Sequence, residues 1–445
     1  MGNMKGKPME FLIDIQQNQN NPKGLEALYQ FSRNEQTENA FKTALFACFD
    51  ESPDNLLYEA WYYRLSQNEQ ETEKMDKGTN WLVAIPLAIL TGLIVWLLSD
   101  NDLVVLDRIP ILALFFAPIA AIAIMAYLVV SGKREKMRSI WIGLGLLAFP
   151  VYVLLIMPIQ RDFYKEPYLN MAMLHIPLVA WIGIGWSVLG RQSDQKSRFA
   201  FIIKSFEVLV TAGLFVIAGG IFSAIAFGMF MALGVDIPEW VQRLIFAGGA
   251  GVIPVIAVAS VYNPLLEPLA QTFGQGVSQL MPILIRLLLP STLVVLLIYI
   301  ALIPFNFRAP IENRDVLIVN NGMLFAIMGL LLGATPLQEE DIVQKLRLWT
   351  QRGIIAVASL AVLISLYALT AILFRTITGS LTINRTIVIG WNIANIGILV
   401  TLLYQQFRNG RERWVGSLQK TFMAGSAIYL IWALFVILVI PLLFR

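Results

Sequence analysis

Runs of about 20 apolar residues recur along this chain and constrain its fold more than any other feature. Each run is long enough, at about 1.5 Å per helical residue, to cross a hydrocarbon core of about 30 Å. Of the 445 residues, 57% are hydrophobic and only 14% are charged, which is too apolar for one soluble core of ordinary proportions. The chain is therefore predicted to be all-α and to form a polytopic integral membrane helical bundle.

The apolar runs predict about 11 transmembrane helices in residues 80–445. The predicted spans lie near residues 80–98, 109–131, 139–159, 168–189, 201–234, 241–262, 285–305, 315–334, 351–374, 385–405 and 421–443. An odd number of spans puts the two termini on opposite sides of the membrane. The run at 201–234 is longer than one crossing needs, so it is predicted to be kinked, tilted or extended into the cytoplasm.

The charges of the connecting loops predict the orientation of the spans. Lys and Arg in short loops favour the cytoplasm. With the N-terminus inside, the inner loops hold fifteen of these residues and the outer loops eight. We therefore predict a cytoplasmic N-terminus and an extracytoplasmic C-terminus.

Residues 1–79 are polar and predict a small, soluble helical domain in the cytoplasm. Apolar residues recur there at helical spacing, and a Pro- and Asn-containing turn at 50–55 precedes a helix with Trp61, Tyr62 and Tyr63. This order is similar to one tetratricopeptide-like helical hairpin, a unit that is normally stabilised by stacking on its neighbours. The domain is therefore predicted to dock on the membrane domain, on a second copy of itself or on a cytoplasmic protein partner. If it recruits a partner, an exposed hydrophobic patch around Trp61 and Tyr62 is expected.

The composition also excludes several classes of protein. A single cysteine, Cys48, and a single histidine, His175, leave no ligand set for zinc or haem. The net charge is only +3 and the basic residues lie in short clusters, so the expected partner is the lipid bilayer and not nucleic acid. The sequence contains no phosphate-binding loop, no Gly-x-Ser-x-Gly and no His-Glu-x-x-His. We predict no metal, no cofactor and no enzymatic activity.

Polar residues within the spans are costly in lipid, so they are the first candidates for a substrate or ion path. His175 in the fourth span could relay protons, or it could bond a backbone carbonyl or a lipid headgroup. Asn392 and Asn395 share one face of the tenth span beside Trp391. They could line a path, although hydrogen bonding between helices is the favoured interpretation.

Helix-breaking residues are dense between positions 262 and 290 and predict an interfacial or re-entrant element. Glu267 and Asn263 lie there among two prolines, and broken helices expose carbonyl groups that bind ions or polar substrates. The alternative is a charged residue in an ordinary cytoplasmic loop. Arg286 could pair with Glu267 inside a protein-lined cavity, but an arginine that extends to the membrane surface is the favoured interpretation.

Two motifs carry a resemblance to a known family. One is the run at 283–304 with Arg286 and Pro290, and the other is Gly379-Ser-Leu-Thr-Ile-Asn-Arg385, which leads into the span that contains Trp391. Across roughly residues 170–405 the chain resembles the polytopic bacterial membrane proteins of domain of unknown function family 4153, although the family's usual Gly-Leu-Thr is Ser-Leu-Thr here.

The resemblance implies a multi-pass protein of the bacterial inner (cytoplasmic) membrane and transfers no catalytic residues. By analogy it also draws attention to Thr382, Asn384 and Arg385 as a structured loop before the tenth span.

Two hypotheses for the function follow from these features. The first is a permease-like or channel-like protein that binds or moves a small or amphipathic solute, which requires a polar cavity near Glu267, Arg286 or the face of Asn392 and Asn395. The alternative is a non-catalytic membrane scaffold whose N-terminal domain recruits a cytoplasmic partner, which requires a dry bundle and an exposed patch around Trp61. An embedded enzyme that acts on lipid comes third.

Overall fold

The chain divides into two compact units, Met1–Gly78 and Thr79–Arg445, and each is described by itself. The computed structural model describes residues 8–34, 37–76, 79–132, 134–190, 193–232, 237–273, 280–337, 344–409 and 413–444.

The first unit consists, in its described part, of helices that pack around one aromatic core. The helices are α1 (Pro8–Gln17), α2 (Pro22–Asn34), α3 (Glu38–Glu51) and α4 (Leu56–Asp76). Helix α3 contacts the other three, and the ring of Phe41 packs against those of Phe11, Tyr29 and Trp61. Trp61 is only 5% exposed. The prediction that Trp61 forms an exposed patch is therefore wrong, because α1 covers the aromatic face with Phe11.

Side-chain hydrogen bonds fix the turn before α4. The Asn55 Oδ1 atom accepts from the backbone N–H groups of Leu57 and Tyr58 at 2.9 and 3.3 Å, which satisfies donors that the first helical turn leaves free. The Tyr58 hydroxyl donates to the carbonyl of Ile15 at 3.2 Å. The first turn of α4 is therefore also bonded to α1.

One cation covers the edge of this aromatic core. The guanidinium of Arg64 lies 4.4 Å from the ring centroid of Trp61 and 2.7 Å from a carboxylate oxygen of Glu26. Its hydrogen bond, with a second one from Gln30, holds the pKa of the Glu26 carboxyl below its ordinary value. The polar rim of the unit is thus tied to its core.

The second unit is a helical bundle, and the predicted all-α membrane class is confirmed. Among the residues that the structure describes, eleven helices are long and apolar enough to cross a membrane. Its helices are α5 (Trp81–Leu98), α6 (Leu112–Gly132), α7 (Lys136–Ile156), α8 (Asp162–Leu189), α9 (Gln195–Ala232), α10 (Glu239–Arg243), α11 (Gly249–Val261), α12 (Leu280–Leu302), α13 (Ala309–Glu312), α14 (Arg314–Gly333), α15 (Gln344–Thr378), α16 (Ile383–Asn409), α17 (Trp414–Leu434) and α18 (Ile440–Leu443).

Short irregular turns join or extend these helices. A π-helical turn at Leu244–Gly248 joins α10 to α11, and another at Phe435–Val439 joins α17 to α18. Each of these combinations makes one span. Short 3₁₀ turns at Met157–Ile159, Pro268–Ala270 and Ile303–Phe305 follow α7, α11 and α12.

Several predicted boundaries differ from the observed ones. The fourth span begins at Asp162 and not near 168, because α8 continues through the polar turn that precedes its apolar run. Residues 109 and 110 do not begin the second span. They form strand β2 (Ile109–Pro110), which pairs antiparallel with β1 (Val104–Val105), and the turn between the strands has positive φ angles at Leu106 and Asp107.

The long fifth run forms one continuous helix. Helix α9 has 38 residues and is therefore about 57 Å long. It passes through Gly219 and Gly220 without interruption, and a Cβ atom added at either glycine would meet nothing within 4 Å. The helix is therefore not interrupted at the glycines, and the predicted kink, tilt or extension into the cytoplasm stays a prediction.

Candidate functional site

A hydrogen-bonded pair joins α8 to α16 inside the bundle. The indole N–H of Trp391 donates to Nε2 of His175 at 2.9 Å, and Nδ1 of His175 lies 2.7 Å from the carbonyl oxygen of Met171. Because an indole nitrogen can only donate, Nε2 accepts and the proton of the neutral ring lies on Nδ1. Both ring nitrogens thus have protein partners, which is the arrangement expected of a histidine bonded to a backbone carbonyl.

The two asparagines of the tenth span also bond neighbouring helices. The Asn392 side chain donates to Oδ1 of Asn321 on α14 at 2.7 Å, and Asn395 accepts from the hydroxyl of Tyr429 on α17. Both asparagines are buried. Helix α16 is therefore bonded to α8, α14 and α17 by side chains within a stretch of five residues, which supports the packing interpretation.

The segment after α11 is a loop tied to the ends of other helices. Asn263 is bonded to Gln271 through both its backbone N–H and its carbonyl, at 2.9 and 2.7 Å. Arg134, which follows the end of α6, donates to the carbonyls of Leu266 and of Val188 in the last turn of α8. The described part of the segment therefore lies at the helix ends.

Glu267 lies in this loop with its side chain exposed. The side chain of Arg286 lies outside the described residues, as do residues 274–279, so the predicted pairing of Arg286 with Glu267 stays a prediction. The structure thus brings His175, Asn392 and Asn395 into one region, while Asn263 and Glu267 lie in a different one.

A buried ion pair anchors the same loop. The Lys204 ammonium group lies 2.7 Å from a carboxylate oxygen of Glu207, and both side chains are about one-twentieth exposed. The ammonium also donates to the carbonyl of Thr272 at 2.6 Å. The pair is thus enclosed by protein, because the loop covers it.

A cleft of about 870 Å³ lies beside the bonded residues, and we call it the arginine cleft. Its polar lining residues include Arg375 at the end of α15 and Arg385 at the start of α16. The cleft is lined by residues within 163–178 of α8, 317–325 of α14, 372–375 of α15, 382–391 at the start of α16, and Tyr429 of α17.

The loop between α15 and α16 positions the arginines. Nη1 of Arg385 donates to the carbonyls of Arg375 and Ser380 at 2.9 and 2.6 Å, which satisfies acceptors that the last turn of α15 leaves free. A Cβ atom at Gly379 would lie 2.9 Å from that same nitrogen and 3.0 Å from the Arg375 oxygen. Glycine is thus needed for this close approach. The hydroxyl oxygen of Thr382 accepts from the backbone N–H of Arg385 in the first turn of α16.

The charged end of the cleft holds polar atoms without partners. Nη1 of Arg375 and Oδ1 of Asn384 are shielded from solvent and have no hydrogen-bond partner among the described residues. None of the described residues that line the cleft is acidic. A buried, unpaired N–H of a cation is costly, so this end of the cleft is suited to an anion.

The rest of the arginine cleft is apolar and opens to the side of the bundle. Leu174 on α8 and Ile318 on α14 line it and are 68% and 56% exposed. Exposed apolar side chains on spanning helices face lipid. His175, Trp391 and Tyr429 also line the cleft, so the hydrogen-bonded region forms part of its wall.

A second cleft, of about 1110 Å³, lies at the other half of α8, and we call it the tryptophan cleft. Trp141 and Trp186 line it and are 68% and 59% exposed. Its polar end has Arg138, which donates to the carbonyl of Ser187 at 2.6 Å. The cleft is lined by residues within 135–149 before and along α7, within 179–190 at the end of α8, Ser193, Ser197, Glu267, and Leu430 and Leu434 of α17.

Sequence reasoning missed Arg375 and the partners Asn321 and Tyr429. A signal for Arg375 was present, because only nine residues separate it from Arg385 and a short loop makes the adjoining helix ends neighbours. Asn321 carried the same signal as Asn392, because it is a polar residue within the predicted span 315–334. No comparable signal exists for Tyr429, since its role depends on which helices adjoin α16.

These features define a multi-pass helical membrane protein with two lateral clefts. Among its described residues, no group of three metal-binding side chains is found. No protein-family model, no curated protein and no solved structure matches the chain. The resemblance to domain of unknown function family 4153 stays a prediction.

Proposed function

We propose that this chain is a permease-like membrane protein that binds an amphipathic, negatively charged solute in the arginine cleft. The observation that carries the proposal is the unpaired guanidinium nitrogen of Arg375 at one end of an apolar cleft that opens toward lipid. A solute with an anionic head and an apolar tail matches both parts of the cleft.

The arginines at the charged end of the cleft favour an anion over a neutral polar group. Hydrogen bonds between a guanidinium and a phosphate or carboxylate are about twice as strong as neutral ones, and they are stronger still where water is excluded. Arg385 contributes a second positive charge, although its Nη1 atom is occupied by carbonyl groups. Arg375 is therefore the residue expected to bind the head directly.

The size of the cleft also supports a small amphipathic solute. Ligand sites commonly have volumes of about 300–1,000 Å³ and apolar walls with a few polar groups, and the arginine cleft has about 870 Å³. The scaffold hypothesis loses the centre of its expected patch, because Trp61 is buried.

Binding of a fluorescent amphiphile tests the proposal. Purified full-length protein in a neutral detergent is titrated with a dansyl-labelled fatty acid, and the dansyl emission is recorded. We expect saturable binding that dodecyl phosphate reverses and a neutral dodecyl ether does not. Arg375→Gln should weaken the affinity about tenfold, because one charge-assisted hydrogen bond is lost, whereas Arg375→Lys should keep part of it.

The matched control is Arg308→Gln. Arg308 is exposed in the loop between α12 and α13 and lines neither cleft, so its replacement removes one positive charge without changing the site. Equal losses of affinity in Arg308→Gln and Arg375→Gln would mean that the overall charge attracts the probe, and the proposal would be rejected. The absence of saturable binding to the wild-type protein would reject it as well.

A further inference from the structure

The two clefts lie at opposite halves of α8. The arginine cleft contacts α8 from Phe163 to Leu178, and the tryptophan cleft contacts it from Val179 to Gly190, just past its end. The helix has 28 residues and is about 42 Å long, so it reaches through both leaflets of a bilayer. Each cleft therefore opens into a different leaflet.

The clefts also lie along one face of α8. Leu178 lines the arginine cleft and Ile182 lines the tryptophan cleft, and residues four apart lie on the same face of a helix. On α17, Tyr429 lines the arginine cleft and Leu430 lines the tryptophan cleft. The same two helices thus form walls of both clefts. A ligand that followed α8 from one cleft would enter the other.

The lateral openings identify the kind of ligand. Leu174 and Ile318 at the arginine cleft, and Trp141 and Trp186 at the tryptophan cleft, are exposed toward lipid. A ligand can then keep its tails in the membrane while its head lies in the cleft. That arrangement suits a membrane lipid. A water-soluble solute needs no opening toward lipid, because its short tail can be enclosed by the cleft.

The charges of the two clefts differ in a way that allows release. The arginine cleft has Arg375 and Arg385 and no acidic residue among its described lining residues. In the tryptophan cleft, Arg138 lies 3.5 Å from a carboxylate oxygen of Glu135, and Glu267 lines the same cleft. An anionic head group is therefore held in the arginine cleft and not in the tryptophan cleft.

From this geometry we infer that the solute is an anionic phospholipid, which moves between the leaflets along α8 from one cleft to the other. This inference rests on the proposed function, since the phosphate would bind at Arg375. No energy source is part of it, so the lipid moves in either direction toward equal occupancy of the leaflets.

Lipid movement in proteoliposomes tests the path. The full-length protein is reconstituted in vesicles with acyl-chain NBD-labelled phosphatidylglycerol, and dithionite bleaches only the label that reaches the outer leaflet. We expect the wild-type protein to make the inner-leaflet label accessible, and to move labelled phosphatidylcholine more slowly, because its choline group is repelled by the arginines.

A substitution that narrows the tryptophan cleft separates movement from binding. Gly145 lines that cleft and a Cβ atom there would meet nothing within 4 Å, so a larger side chain begins in open space. Gly145→Leu should slow lipid movement and leave the binding of phosphatidylglycerol in detergent unchanged. The control is Gly397→Leu on α16, which also has open space at the Cβ position and lines neither cleft; it should move lipid at the wild-type rate.

The outcomes distinguish the two proposals. If the wild-type protein binds labelled phosphatidylglycerol, with Arg375→Gln about tenfold weaker, but moves none of it, the path is overturned and the proposed binding function stands. Movement at the wild-type rate in Gly145→Leu would also overturn the path. If the wild-type protein binds neither the labelled lipid nor the dansyl-labelled fatty acid, both proposals fail.

Discussion

His175 and Trp391 form a hydrogen bond that is enclosed by the bundle and lies against the arginine cleft. The two rings are also stacked, with their centroids 5.6 Å apart, and Trp391 contacts the rings of Phe325 and Tyr429 edge-on. Each of these contacts joins α16 to a different helix. The pair therefore holds together the helices that border the cleft.

Replacing both members of the pair should cost less stability than the sum of the two single replacements. Trp391→Phe leaves Nε2 of His175 without a donor, and we expect it to lower the free energy of unfolding by about 1 kcal/mol. The double variant His175→Leu with Trp391→Phe should be less destabilised than the sum of the single variants, because no unpaired polar group is left. Unfolding of the purified protein by dodecyl sulfate in mixed micelles measures both values.

The control for this prediction is Trp349→Phe, since Trp349 is 71% exposed on α15. Its replacement should change the unfolding midpoint little. Strictly additive effects of the His175 and Trp391 substitutions would show that the hydrogen bond does not contribute to stability.

Helices α5 and α11 approach each other closely through glycine. A Cβ atom at Gly251 would lie 2.9 Å from Cα of Gly92, and one at Gly92 would lie 2.8 Å from the carbonyl oxygen of Gly248. These contacts involve backbone atoms, which cannot move aside as a flexible side chain can. The glycines therefore allow a close contact between α5 and α11.

Two neighbouring glycines of α11 should respond differently to alanine. Gly251→Ala inserts a methyl group against Gly92 and Val95, and we expect it to lower the free energy of unfolding by about 1–3 kcal/mol. Gly249→Ala has nothing within 4 Å of its Cβ position, so it should be neutral or stabilising by up to about 1 kcal/mol. The midpoint of thermal unfolding, followed by circular dichroism in detergent, compares the two, and the same response from both variants would contradict the close contact.

At the scale of the whole molecule, composition and apolar periodicity predicted the number of spans, because a length near 20 residues is imposed by the bilayer. The site was less predictable. His175, Asn392 and Asn395 stood out because polar groups are rare within spans, but their partners on α8, α14 and α17 depend on helix packing that no local pattern records. The position of Glu267 in an exposed loop was not predictable for a related reason, since dense helix breakers indicate a break and do not indicate its depth.

The predicted orientation of the chain can be tested with single cysteines. Ser52 lies in the first unit and Ser380 in the loop between α15 and α16, and both are exposed. In a Cys48→Ala background, we expect a membrane-impermeant maleimide to label Ser380→Cys on intact cells, and to label Ser52→Cys only after the membrane is disrupted. The positive-inside distribution of the loops is the physical reason, and the reverse labelling pattern would show that the chain has the opposite orientation.

The side opening of the arginine cleft at Leu174 and Ile318 has a consequence for how the site is filled. A ligand that arrives from the membrane is supplied according to its mole fraction among the surrounding lipids, and its concentration in water matters little. Occupancy of the cleft should then rise with the mole fraction of anionic lipids in the membrane. It should not change when the sample is diluted with buffer. Charged detergents would compete with such a ligand for the cleft during extraction, whereas neutral detergents would not.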